Sequence, residues 1–187
     1  MNRYSIGIAV VREFAKMEAK AGRFNAVLPE HLWMGLSRFS QLSESSVSKM
    51  LKAGDEKRGL LNAEVRKIQT WFKQSGMESA RTRRKLCQLV SRAKGSAGDR
   101  RSSESIALFE MAKDIAGDEE KHIPDTVDLA RSIMENPPPA LSDLFSQAGT
   151  DFETSVTKHS ESKKNADGKE ILSCFGRDLT AEAAQGQ

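Results

Sequence analysis

Apolar residues recur every three or four positions along most of the chain, the spacing of helices that bury one face. Ile6, Ala9, Val10, Phe14, Met17 and Ala21 share such a face and predict a helix over 4–21, with Gly22 as a left-handed stop. Leu28-Pro29-Glu30 opens a second helix. Pro29 sits in its first turn, where a missing N–H costs nothing, and Glu30 faces the positive end of the dipole. That helix runs through Leu32, Trp33, Leu36 and Phe39. Ser43 or Ser45 caps a third helix with Val47, Met50 and Leu51, which stops at Gly54. A fourth, over 60–73, presents Leu61, Val65, Ile68 and Phe72. Nothing in this half alternates with period two, so no strands are expected. The second half predicts a helix over 103–116 with Ile106, Phe109, Ala112 and Ala116, ending at Gly117. Ile123-Pro124-Asp125 opens the next, with Val127, Leu129 and Ile133, and Pro137-Pro138-Pro139 ends it. A short apolar stretch over 140–148 stops at Gly149, residues 157–169 read as a linker, and a last amphipathic stretch starts at Ile171.

The two halves share one frame. Phe109 stands 95 residues after Phe14, and the same shift pairs Ala21-Gly22 with Ala116-Gly117 and Leu28-Pro29-Glu30 with Ile123-Pro124-Asp125. It still holds at Ala53-Gly54 against Ala148-Gly149. Matching helix starts and stops at one offset predict two copies of a small helical unit. Each copy is too small to bury its own apolar face, so the two are expected to pack with approximate twofold symmetry. The expected class is all-α, with two pseudo-twofold-related four-helix repeats and a basic connector.

Composition narrows the picture. Of 187 residues, 38% are hydrophobic and 29% charged, the balance of a charge-rich helical protein, and 6% aromatics argue against an aromatic-lined cofactor pocket. No apolar run reaches the ~18–20 residues of a membrane span, and the N-terminus shows no secretory pattern. The distant pair Cys87 and Cys174 suggests neither a zinc site nor a disulfide framework, so a cytoplasmic location is expected. The net charge of +3 is unevenly spread. Residues 73–102 carry nine Lys and Arg against Glu78 and Asp99, a surplus of +7 that leaves −4 elsewhere. Such a stripe suits phosphates, but no aromatic interleaves it, which favours reading it as a solvated helix face and a linker.

A repeat of this pattern, with Val27-Leu28-Pro29-Glu30-His31-Leu32-Trp33-Met34-Gly35-Leu36 at its centre, resembles the N-terminal domain of Clp-type AAA+ unfoldases and disaggregases. In the second copy Asp125-Thr126-Val127 replaces the family's Glu-His-Leu. Phe175-Gly176-Arg177-Asp178-Leu179-Thr180 is similar to the family's stretch leading into the first ATPase module. The resemblance implies repeats over 1–76 and 103–156, a connector over 77–102, and a linker over 157–187 towards an ATPase module. It implies a non-catalytic module that binds adaptor proteins or unfolded and peptide substrates and serves a hexameric ATPase ring. It implies no cofactor within these residues, ATP and magnesium belonging to the downstream modules. The isolated domain is expected to be monomeric, without membrane contact, and with nucleic acid a disfavoured partner.

The candidate binding residues are Glu30, His31, Trp33 and Asp125. Glu30 and Asp125 hold equivalent places in the 95-residue frame, and the family resemblance assigns such carboxylates to positively charged groups on substrates. A carboxylate at a helix start is equally explained by the dipole. His31 is placed to hydrogen-bond a neighbouring helix, and Trp33 either lines a groove between the copies or fills the core. The competing reading is a DNA-binding helix-turn-helix over 36–51, with Ser45, Ser46 and Lys49 facing a groove and the basic segment 81–101 on phosphates. Against it, the turn carries Gln41 rather than Gly, and its recognition helix has one Lys and no Arg. No nucleophile, base and orienting acid converge by motif, so an enzyme is not expected.

Overall fold

The computed structural model describes residues 4–50, 55–90, 100–118 and 123–147. In chain order the elements are α1 (Ile6–Ala21), β1 (Ala26–Val27), α2 (Pro29–Phe39), α3 (Glu44–Met50), α4 (Asp55–Gln74), α5 (Ser79–Leu89), β2 (Arg100–Arg101), α6 (Ser103–Asp118), α7 (Thr126–Glu135) and α8 (Pro139–Gln147). The protein is therefore mostly helical, and none of these helices is long and apolar enough to cross a membrane. The chain divides between Thr150 and Asp151, and every element above belongs to the first unit. The stops at Gly54 and Gly149, the linker, the stretch from Ile171 and the Gly-Arg-Asp-Leu-Thr motif lie outside the described residues.

α1 packs along α2, and α6 along α7. Ser5 caps α1, its Oγ accepting from the Ile8 N–H at 3.2 Å. The buried stripe of α1 is Ile8, Val11, Phe14, Ala15 and Ala19. Of the face predicted from periodicity only Phe14 belongs to it, and Met17 is 51% exposed. The helix is apolar on more than one side, and close approach by α2 selects the side with small residues. A Cβ on Gly35 would lie 2.7 Å from the Val11 carbonyl oxygen and 3.2 Å from the Ala15 nitrogen. Glycine is what lets the two backbones meet.

Gly22 is not a left-handed cap. Its φ is −80°, and the left-handed residue is Arg23, with φ of 59°. Gly22 instead leaves room for the Phe24 ring, which a Cβ there would meet at 2.6 Å. α4 begins five residues earlier than periodicity predicts, and Ser43 caps α3 by accepting from the Ser46 N–H at 3.2 Å. Two strands, not expected, are present: β1 and β2 pair in parallel, Ala26 with Arg100 and Val27 with Arg101. Two residues show no period, so only the pairing reveals them.

Bonds recur across the described residues at a spacing of 97. Ser5 N–H donates to the Pro124 carbonyl, and Ser102 N–H to the Val27 carbonyl, both at 3.0 Å. Ser102 stands 97 residues after Ser5, and Pro124 97 after Val27. Each bond joins one half to the other, in opposite directions. Ser102 Oγ accepts from the Ser105 N–H as Ser5 Oγ does from Ile8. The ion pairs Lys16–Glu13 and Lys113–Glu110 also match at this spacing. So do two reach-back bonds, Leu28 N–H to His31 Nδ1 and Asp125 N–H to Asp128 Oδ2. The buried positions follow the same shift, Val11 with Leu108, Ala15 with Ala112 and Ala19 with Ala116.

The 95-residue frame is thereby corrected. Gly117 lies inside α6 rather than ending it, and Pro124 precedes the cap of α7 whereas Pro29 is the first residue of α2. Proline is tolerated at several places around a helix start, so aligning prolines shifts the register by two. Asp125 corresponds to Leu28, and Glu30 to Val127, so the two candidate carboxylates are not equivalent.

Candidate functional site

The four candidate residues lie at the starts of α2 and α7, two helices that touch. Glu30, in the first turn of α2, is half-buried and has no ion-pair partner among the described residues. His31 turns inward within its own helix rather than towards a neighbour. Its Nδ1 accepts from the Leu28 N–H at 3.0 Å, and its ring meets Phe24 edge-on at 4.7 Å. Trp33 is fully enclosed, edge-on to Trp71, Phe72 and Phe145, and its indole N–H has no acceptor among the described residues. It is a core residue and lines no groove. Asp125 caps α7, Oδ1 accepting from Val127 and Asp128 N–H groups at 2.8 and 3.3 Å, while Lys67 of α4 pairs with Oδ2.

Beside Asp125 lies a residue that motif reading passed over. Glu64 projects from α4 and is 9% exposed. Its carboxylate accepts from Ser5 Oγ at 2.6 Å, Gly7 N–H at 3.0 Å and Thr126 N–H at 3.0 Å. One side chain thus binds the starts of α1 and α7, whose free N–H groups point at it. Gly7 leaves room for the carboxylate, which a Cβ there would force to shift. The sequence did hold a signal: Glu64 falls between Leu61, Val65 and Ile68 on the apolar stripe of α4, and a charge in such a stripe needs a buried partner.

The ionisation states follow from these surroundings. Burial pushes the Glu64 carboxyl up, against the hydrogen bonds from Ser5, Thr126 and Gly7, and the nearby Asp125 charge adds to the rise. Burial also pushes Asp125 up, but the Lys67 bond and charge with the two backbone donors outweigh it, and Asp125 lies below its ordinary range. His31 is lowered from 6.5 to about 4 by burial, which the Glu18 charge only partly opposes. Between pH 6.5 and 4 the unfolded chain therefore binds a proton that folded His31 refuses. This contribution to stability is complete above pH 6.5 and is lost as pH falls towards 4, amounting to about 3 kcal/mol. Urea unfolding at pH 7.5 and 4.5 is expected to show that loss, and His31→Asn, which keeps an acceptor for Leu28, is expected to remove most of the difference. An unchanged difference in the variant would assign the pH dependence elsewhere.

The helix-turn-helix candidates are also placed. α3 has seven residues, begins at Glu44, which pairs with Arg66, and exposes Ser45 and Lys49. In α5, Arg83 binds Glu18 of α1 at 2.7 Å, and Leu86 is buried. Arg81 and Arg84 face outward.

No family model matches the chain, and no curated protein or solved structure matches it. Among the described residues no cluster of His, Cys, Asp or Glu is arranged to hold a metal ion.

Proposed function

We propose that the chain is a Clp-type N-terminal domain, a non-catalytic cytoplasmic module that binds adaptor proteins or unfolded substrates and passes them to a hexameric ATP-driven unfoldase ring. The supporting observation is the pair of exchanged bonds, Ser5 to Pro124 and Ser102 to Val27, which run between the halves in opposite directions at one 97-residue spacing. Exchange of this kind is what two repeats related by a twofold axis produce, and the resembled family is built from two such repeats. In this reading α1–α3 and α6–α8 are the repeated helices, α5 belongs to the connector, and Glu30 and Asp125 contact substrate from non-equivalent places.

The test uses the full chain with a labelled, permanently unfolded polypeptide and a labelled arginine-rich peptide. Saturable binding of both is expected. Glu30→Ala combined with Asp125→Asn, which keeps the α7 cap, is expected to weaken the arginine-rich peptide several-fold. Absence of saturable binding would sink the proposal. Duplex DNA bound instead, with a steep salt dependence, would support the helix-turn-helix reading over 36–51 and 81–101.

A further inference from the structure

A small cavity opens where the α1–α2 pair meets β2. It is lined by Arg12 and Lys16 of α1, Val27 of β1, Leu32 of α2 and Arg101 of β2, and offers about 40 Å³ to water-sized atoms. Three cations from two elements converge on an apolar floor. Glu13 pairs with Lys16 at 2.7 Å. Among the described residues neither guanidinium pairs with a carboxylate, so the site carries an excess of two positive charges. Arg101 is held in place by stacking, its guanidinium 5.0 Å from the centre of the Phe109 ring.

The corresponding place 97 residues away is built differently. Arg12, Lys16 and Leu32 correspond there to Phe109, Lys113 and Leu129, and Arg101 corresponds to Tyr4. Tyr4 and Phe109 fill that space with an edge-on ring pair at 5.5 Å, and Lys113 lies over the Tyr4 ring at 5.4 Å. The same backbone frame thus carries an aromatic pair on one side and two guanidiniums on the other, one of them stacked on Phe109. Packing needs only the first arrangement. Two arginines where rings would fit leave a cavity and uncompensated charge.

We propose that this cavity binds an acidic side chain of a partner polypeptide, a site whose argument does not depend on the chain serving an unfoldase. With about 40 Å³ open to water-sized atoms, the cavity has room for one carboxylate group. The guanidiniums offer forked donors that match carboxylate oxygens, and Val27 and Leu32 receive the methylenes behind them. A glutamate side chain suits both parts of the lining.

The experiment measures fluorescence anisotropy of labelled hexaglutamate with the full chain at low salt. Saturable binding is expected. The double variant Arg12→Phe with Arg101→Tyr copies the residues of the other half, and is expected to weaken binding at least tenfold with unchanged helicity. Arg12→Gln with Arg101→Gln provides the same test without added ring volume, should the first variant fold poorly. Arg84→Ala, an outward cation on α5, is expected to leave affinity unchanged. No saturable binding, full affinity in the glutamine variant, or an equal loss from Arg84→Ala would each overturn the proposal. A labelled oligothymidine that bound more tightly than hexaglutamate, with the same variant sensitivity, would reassign the site to nucleic acid.

Discussion

Replacing Glu64 by alanine is expected to destabilise the protein by about 3 kcal/mol or more, because three donors lose their shared acceptor inside the fold. Ser5 Oγ, Gly7 N–H and Thr126 N–H all bind this one carboxylate. Water cannot readily replace it where the residue is 9% exposed. Part of the loss is offset, since burial already disfavours the Glu64 charge and its removal relieves that cost. Urea unfolding followed by helical circular dichroism at pH 7 measures the change. Ser5→Ala and the double variant complete a cycle, and a coupling near zero would show that Glu64 does not act through the start of α1. Glu64→Gln is expected to fall between, as its oxygen still accepts while its amide NH2 faces one of the two backbone N–H groups. A loss below about 1 kcal/mol for Glu64→Ala would mean that the starts of α1 and α7 are held by other contacts.

Trp33→Ala is expected to cost about 3–5 kcal/mol, the range for removing a fully buried aromatic ring. Trp33 is 0% exposed, and its ring meets Trp71 and Phe72 of α4 and Phe145 of α8 at 4.9–6.3 Å. Its removal therefore opens the contact of three helices at once. Trp33→Phe keeps most of the volume and leaves no unpaired indole N–H, so it is expected to cost far less. The two variants separate core packing from peptide recognition. With packing as its role, Trp33→Phe retains hexaglutamate and arginine-rich peptide binding. A folded Trp33→Phe protein that lost peptide binding would return Trp33 to the binding surface.

These residues show which parts of the molecule were legible in advance. The helices were, because spacing of three and four together with Pro29, Pro137 and the serine caps marks where a helix can start and stop. The charge surplus over 73–102 was legible by counting, although the structure gives part of it a packing task, with Arg83 on Glu18. The face that each helix buries was less legible. α1 is apolar at Ile6, Val10 and Met17 as well as at Ile8, Val11 and Ala15, and periodicity does not choose between them. The choice comes from Gly35, whose missing Cβ lets α2 settle on Val11 and Ala15.

The candidate site was legible only in its elements. Glu30, His31, Trp33 and Asp125 were marked by their places at helix starts, yet three of them serve the fold directly, Trp33 by enclosure, His31 by closing the first turn of α2 and Asp125 by capping α7. Glu64 and Arg12 lie in no motif, and Arg101 was marked only as the end of the basic segment 81–101. Their significance is a matter of what approaches them, and the approach of α4 to α1 and α7, or of β2 to α1, joins residues far apart in the chain.

The sequence by itself determined that the chain is mostly helical and roughly where its helices lie, and it raised the expectation that its two halves echo one another. Only the tertiary structure shows the spacing at which bonds recur between them. Local punctuation aligned the prolines and glycines at 95 residues, whereas the hydrogen bonds and buried positions align at 97. The physical reason is that a proline can stand at several positions around a helix start at little cost, but a backbone N–H that bridges the two halves must meet one particular carbonyl.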